Sequence, residues 1–315
     1  MSRFEKIAIL GATGPTGKHL AREWLRRGAA VRVVSRSALN LARAFGAGSV
    51  ERVAADALDG AAIRRALAGC DAVFDCIGLP LERIRDHPPT ARNAVEAARE
   101  TGARLVHVSS YWAYIPIVRT PLAESHPRTG GGLAVRMRRE AEDIMQAGGA
   151  AVVNLPDFYG PEVHLSILNR ALEQATAGRT VEWIGSARTA REHVYVPDAM
   201  CTIAEIAQRE AAYGERWIVP GAGPIDLDGM RAIVQRHLGR EVRVRSAGRL
   251  AMTLLALLSR DVRALLALVP TYVAPIAYDG SKLRGLIGAI RATPYATGIP
   301  ATLDWIAGRA PAASG

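Results

Sequence analysis

The sequence predicts an α/β protein: a doubly wound parallel sheet followed by a smaller, less regular lobe. Two observations carry that prediction. Through the first half of the chain, continuous Val/Ile/Ala runs alternate with amphipathic stretches, the pattern of strands buried on both faces and of the helices that cover them. After about residue 156 the rhythm loosens, and Pro156, Gly160, Pro161, Gly185, Pro197, Pro220, Gly221, Gly223 and Pro224 punctuate shorter elements.

Taken in order, the apolar runs place strands at 6–10, 31–35, 50–54, 72–77, 104–109 and 151–155. The amphipathic stretches place helices near 16–27, 38–45, 61–68, 90–101 and 135–146. Beyond these, 195–207 reads as a segment returning to the core. Neither an internal repeat nor a low-complexity segment is evident.

Composition narrows the class. Of 315 residues, 49% are hydrophobic and 22% charged, enough apolar material for one large domain or two coupled ones and too much for a disordered chain. The most apolar stretch, Leu250 to Tyr278, is broken by Arg260, Asp261 and Arg263, so no integral membrane span is expected. The opening Met1-Ser2-Arg3-Phe4-Glu5-Lys6 carries no secretory apolar region. Cys70, Cys76 and Cys201 show neither paired nor metal-like spacing, which fits a reduced cytoplasm. His87, His107, His126 and His164 add no ligand spacing, so no metal is expected. The net charge of +10 comes from arginines scattered along the chain in no block longer than two. A solvated basic surface is expected, and no nucleic-acid partner.

The first strand, Lys6-Ile7-Ala8-Ile9-Leu10, runs straight into Gly11-Ala12-Thr13-Gly14-Pro15-Thr16-Gly17 and then a helical pattern. One glycine allows the sharp turn, and another admits the backbone close to a pyrophosphate. The third lets the helix pack on the sheet, and the helix N-terminus offers unpaired N–H groups and a positive dipole end. Pro15 and Thr16 suit a first turn, where a missing N–H does no harm. A Rossmann-type dinucleotide-binding unit over 1–155 is therefore expected, with 156–315 mostly a substrate-binding lobe and 194–212 returning to the core.

The spacing is G-x-x-G-x-x-G, and here the chain resembles the extended and atypical branches of the short-chain dehydrogenase/reductase superfamily, epimerase/dehydratase-like proteins among them. The likeness continues in order. Asp56, followed by Ala57, sits where that family keeps an acid near the adenine, and Cys76-Ile77-Gly78 follows the fourth strand, where the family lines its cofactor. Phe158-Tyr159-Gly160-Pro161 resembles its "YGP" turn, and His193-Val194-Tyr195-Val196-Pro197-Asp198-Ala199 its late "HVDD" segment. Ser281-Lys282-Leu283 and the stretch from Thr293 to Trp305 resemble its closing segment, which implies a complete chain. The resemblance also implies that Thr13 and Ser109 help line the cofactor.

Charge decides between the two nicotinamide cofactors. NAD sites place a carboxylate about 20 residues past the glycines, to hold the ribose hydroxyls. This chain has Val31-Arg32-Val33-Val34-Ser35-Arg36-Ser37 there, and no acid from Arg26 until Glu51. A guanidinium pairs with a 2′-phosphate that a carboxylate would repel. NADP(H) is favoured over NAD(H), with Arg36 as its reader and Ser35 and Ser37 as further donors.

In the family it resembles, a serine orients the carbonyl, a tyrosine exchanges a proton with the substrate oxygen, and a lysine lowers the tyrosine's pKa. Val108-Ser109-Ser110-Tyr111-Trp112-Ala113-Tyr114 looks like the family's "SSxxVY" segment and makes Ser110 the serine. At the place where the family keeps it, the Tyr-x-x-x-Lys pair is missing. Anchoring on Glu140-Ala141-Glu142-Asp143 puts Ala134 at the tyrosine position and Arg138 at the lysine position, and no lysine occurs between Lys18 and Lys282. Three readings follow. A relocated acid, Tyr111 or Tyr114, serves an oxidoreductase in which Arg138 stabilises negative charge but, always protonated, shuttles no proton. Alternatively, hydride adds to an activated double bond or imine that needs no strong acid. Or the chain is a non-catalytic NADP(H)-binding sensor or scaffold. A sugar-nucleotide epimerase or dehydratase is a weaker fit, because that chemistry depends on the missing pair.

The apolar segments 250–258 and 264–273 must be buried, against the lobe, a second subunit in a homodimer, a lipid surface or an apolar substrate. Few groups there look placed for a nucleotide diphosphate. A small or medium, less polar organic substrate is expected.

Overall fold

The computed structural model describes residues 4–46, 48–164, 166–247 and 272–309. Its centre is a parallel sheet built from β1 (Lys6–Leu10), β2 (Ala30–Ser35), β3 (Glu51–Ala54), β4 (Ala72–Asp75), β5 (Arg104–Ser110), β6 (Ala151–Leu155) and β11 (Arg216–Ile218). The strand order is β11-β6-β5-β4-β1-β2-β3. Order reverses on either side of β1, and such a reversal opens a crevice at the carboxyl ends of the strands.

The connecting helices are α1 (Pro15–Arg26), α2 (Ala38–Ala44), α3 (Gly60–Leu67), α4 (His87–Thr101) and α5 (Leu133–Ala147). Local chemistry sets their ends. The Ser37 side chain accepts from the Asn40 N–H and that of Asp59 from the Ala62 N–H, capping α2 and α3. Gly102 closes α4 in the left-handed region, at φ 73°. Strand and helix ends agree with the sequence to within three residues. β4 stops at Asp75, two residues short of the expected Ile77, because the Asp75 carboxylate folds back to accept from the Ile77 N–H at 3.2 Å. α4 begins three residues earlier than expected, with Pro88 and Pro89 in its first turn.

Each face of the sheet is sealed by its own apolar cluster. One holds Ile7, Ile9, Trp24 and Phe74, the other Ala8, Leu10, Leu67 and Met145.

The second half begins with β7 (Phe158–Tyr159), α6 (Ile167–Thr176), β8 (Val181–Ile184), β9 (Arg191–Glu192) and β10 (Val194–Tyr195). After β10, α7 (Val196–Ala207) packs Ala199, Met200 and Ile203 into the same cluster as Trp24 of α1. Past Ala212, β11 adds itself to the edge of the sheet with Trp217 opposite Val153. The rest comprises β12 (Pro224–Ile225), α8 (Leu227–Leu238), β13 (Val244–Ala247), α9 (Ser281–Ile287) and α10 (Tyr295–Arg309). α6, α8 and α10 enclose a separate core around Leu172, Trp183, Met230 and Ile299. The expected apolar segments at 250–258 and 264–273 lie outside the described residues, apart from Tyr272 and Val273. Among the described residues, no helix is long and apolar enough to cross a membrane.

Candidate functional site

A cleft of about 750 Å³ opens over the carboxyl ends of the strands at this reversal. Its floor is the glycine turn. Gly11 has φ +70°, and a Cβ there would lie 2.7 Å from the Cys76 carbonyl oxygen. At Gly17 a Cβ would meet Ala12 Cα at 2.6 Å, so this glycine lets α1 seat directly on the turn. Around Gly14 the space is open to the cleft, with only the Gly11 carbonyl at 3.5 Å. α1 starts at Pro15 without a side-chain cap, which leaves its first N–H groups for a ligand.

Most of the expected cofactor residues meet here. Gly11, Thr13, Gly14, Pro15, Thr16, Ser35, Arg36, Asp56, Ala57, Cys76, Ile77, Gly78 and Ser109 line the cleft. Thr13 Oγ1 and Ser35 Oγ lie 3.4 Å apart, and Arg36 stands exposed at the rim. Asp56 Oδ1 accepts from the Leu58 N–H at 3.0 Å, fixing the turn after β3. Burial and the neighbouring Asp75 charge push the Cys76 thiol up, so it stays protonated. Two expectations need correcting. Ser37 does not line the cleft, because its hydroxyl is committed to the start of α2. Ser109 lines it without its hydroxyl free: Oγ donates to Glu142 Oε1 at 2.5 Å, beneath the floor.

Glu142 anchors that layer. Fully buried, it also accepts from Asn154 Nδ2 at 2.6 Å and from Arg128 Nη2 at 2.8 Å. Beside it Asp75 Oδ2 and His107 Nδ1 pair at 2.8 Å. His87 is buried too; desolvation, with Arg138 and His107 as like charges, lowers it to about 3 and keeps it neutral.

The reacting end of the cleft is walled by Ser110, Trp112, Arg138, Asp157 and Tyr272. Ser110 Oγ accepts from the Trp112 N–H at 3.4 Å, which leaves its own proton to donate. Arg138 is no solvated helix arginine: its Cζ lies 5.1 Å from the Trp112 ring centroid, and burial pulls the guanidinium below its ordinary value. Tyr111 and Tyr114 do not line the cleft, so the expectation of either as its acid is corrected. The turn 111–114 rolls both rings into the core, at 1% and 0% exposure. Tyr111 Oη instead donates to Asp157 Oδ2 at 3.1 Å, and Arg191 Nη2 donates to both oxygens, at 3.2 and 3.1 Å. Arg191, 34 residues beyond Asp157, carried no local signal in the sequence. The pairing of β7 with β10 brings the "YGP" and "HVDD" segments side by side.

Next to this wall is a second cavity, of about 590 Å³, lined by Ile84, Ile115, Ile117, Leu133, Ala134 and Ile276 among others. Ala134 and Arg138 are one helical turn apart on α5, hence on one face. One helix face thus serves both spaces.

A glycine turn under an uncapped helix N-terminus, at the reversal of a parallel sheet, defines a dinucleotide-binding protein. The comparisons agree. Residues 11–152 match a family model described as NAD(P)H-binding, so the chain carries an NAD(P)H-binding domain. Cinnamoyl-CoA reductase 1 of Oryza sativa subsp. japonica is 35% identical over 118 residues, covering 34% of this chain. That match spans about a third of the reductase's own length, 35%. Two solved structures share the fold. UDP-glucuronic acid 4-epimerase from Bacillus cereus, in complex with NAD, has a TM-score of 0.78 at 14% identity, covering 96% of this chain and 99% of that one. dTDP-glucose 4,6-dehydratase from Bacillus anthracis, also in complex with NAD, reaches 0.81 at 12% identity, with 97% of each chain covered. The chain shares the fold of this epimerase and this dehydratase.

Proposed function

We propose that this chain is an NADP(H)-dependent oxidoreductase acting on a small or medium apolar carbonyl, alcohol or activated double bond. The observation that carries this is the apolar cavity beside the cleft. Among the described residues lining it, only Arg119 is charged. A sugar diphosphate would leave many hydrogen-bonding groups unanswered against such walls, at a cost of about 1–3 kcal/mol for each buried one. An alkyl or aryl group gains about 25 cal/mol per Å² of surface removed from water. The similarity to a cinnamoyl-CoA reductase also favours reduction at a carbonyl.

The residues present fit the dinucleotide. The N–H groups opening α1 would hold the pyrophosphate, Arg36 a 2′-phosphate and Asp56 the adenine side. When bound, a reduced nicotinamide supplies a hydride with its electron pair. Ser110 Oγ donates to the substrate oxygen and orients it, and the Arg138 guanidinium stabilises the negative charge that develops there. Three free cysteines support a cytoplasmic location.

The test is consumption of NADPH with a panel of apolar aldehydes, ketones and enones, with Ser110→Ala as control. Turnover that improves as the apolar group lengthens, and that falls in Ser110→Ala, is expected. Stoichiometric NADPH binding without turnover on any member would overturn the enzyme reading in favour of a sensor.

A further inference from the structure

The cleft lacks the family's tyrosine and lysine at Ala134 and Arg138, yet it contains a tyrosine from the far end of the chain. We propose that Tyr272 is the proton donor of this site, with Tyr111, Asp157 and Arg191 as the relay and charge support behind it. The proposal rests on the oxidoreductase reading.

Tyr272 lines the cleft together with Ser110, Trp112, Arg138 and Asp157. Its hydroxyl is hydrogen-bonded to the side chains of Trp112 and Tyr111. An indole N–H only donates, so Tyr272 Oη accepts from Trp112; with the Tyr111 proton on Asp157, the Tyr272 proton rests on Tyr111 Oη and turns to the substrate oxygen once one is bound. The Arg191 Cζ lies 5.3 Å from the Tyr272 ring centroid. Burial and the Asp157 charge hold the Tyr272 hydroxyl above its ordinary range, and the fixed Arg191 charge offsets part of that in favour of the phenolate. Behind the ring, Tyr111 Oη is 3.1 Å from Asp157 Oδ2, which extends the path by two groups. Burial raises the Asp157 carboxyl above its usual range, against the pull of the Arg191 pairing and the Tyr111 hydrogen bond.

In the reducing direction the carbonyl carbon gains the hydride and the C=O π pair settles on oxygen. The Tyr272 O–H bond breaks and a new O–H bond forms on the substrate. The phenolate, held by the Trp112 N–H and the Arg191 charge, recovers a proton from Tyr111. Tyr111 in turn recovers a proton that enters from solvent by way of the Asp157 carboxylate. Oxidation of the alcohol runs the same path backwards.

Tyr272→Phe removes one oxygen and keeps the ring against Arg191. In the NADPH-linked assay its kcat is expected to fall about 100-fold or more, while KM for the carbonyl and Kd for NADPH stay within twofold. Tyr111→Phe, a positioning change, is expected to lower kcat less, again with both constants preserved. A second readout needs no turnover: tetranitromethane treatment of the free chain, mapped by peptide mass spectrometry. Tyr272 is expected to be nitrated and to be protected by NADPH, while buried Tyr111 and Tyr278 resist. Wild-type kcat in Tyr272→Phe, or a Tyr272 that resists nitration in the free chain, would overturn the donor assignment and leave the oxidoreductase reading standing. A wild-type chain that binds NADPH and turns over nothing sinks both.

Discussion

The guanidinium of Arg138 lies over the indole of Trp112, 5.1 Å from its centroid, in the wall of the cleft. A cation held on an aromatic face keeps its charge at a fixed place without a carboxylate to cancel it. The lysine position of the family is thus occupied by a group that can stabilise an oxyanion and cannot titrate.

Arg138→Ala is expected to reduce kcat/KM for a carbonyl by about 10- to 100-fold, the loss of one charge-assisted contact to the reacting oxygen. Arg138→Lys restores only part of it, since an ammonium does not stack as a planar guanidinium does. Denaturant midpoints check the other half of the statement. Because Arg138 Nε is buried without a hydrogen-bond partner, removing the side chain shifts stability by no more than about 1 kcal/mol.

Arg36→Ala is expected to weaken NADPH binding by about 10- to 100-fold and leave NADH unchanged, as loss of charge-assisted bonds to a phosphate predicts. Fluorescence titration of both coenzymes measures it. Equal losses for the two would remove Arg36 from the role.

Glu142→Ala strips a fully buried carboxylate from Arg128, Ser109 and Asn154. Arg128 keeps Asp143 Oδ1 at 2.6 Å, so the unanswered groups left behind are expected to cost about 1–3 kcal/mol, read as a lower denaturation midpoint. Glu142→Gln keeps the shape and costs less. An unchanged midpoint in the alanine variant would mean that solvent reaches Arg128.

His193 is buried, its two ring nitrogens lack hydrogen-bond partners, and desolvation followed by the Arg191 charge lowers it to about 3. The unfolded chain takes up a proton at this residue below its ordinary value of 6.5; the folded chain does not. Stability from a neutral buried His193 is therefore complete above pH 6.5 and lost as pH falls toward 3, by about 1.4 kcal/mol per pH unit. His193→Leu is expected to flatten the acid limb of the stability curve by that slope between pH 6 and 4. Parallel curves for variant and wild type would exclude it.

Periodicity exposed the first half of the fold almost residue by residue, because its central strands are buried on both faces, though the edge strand β3 is largely exposed, and each helix begins at a local cap or turn. The glycine turn was readable for the same reason: Gly11 and Gly17 answer to contacts with Cys76 and Ala12 that admit no side chain. β11 was not, since three residues at a sheet edge carry too short a pattern to register. The reacting end was half legible. Ser110 and Arg138 follow from spacing, whereas the grouping of Asp157, Arg191 and Tyr272 depends on how distant segments cross, which no local signal encodes. Tyr111 and Tyr114 misled because their position in the chain, right after Ser110, says nothing about the direction in which a tight turn aims its rings.

Arg216–Ile218 covers β6, and Val196–Ala207 roofs α1. The coenzyme half therefore cannot be lifted out by cutting the gene after Leu155. Such a fragment would bare a line of unsatisfied peptide groups and a greasy helix face, an invitation to stick to its own copies. Anyone shuffling lobes between relatives would have to carry these two downstream segments along with the upstream half, and to exchange α6 together with α8 and α10, whose side chains share one core.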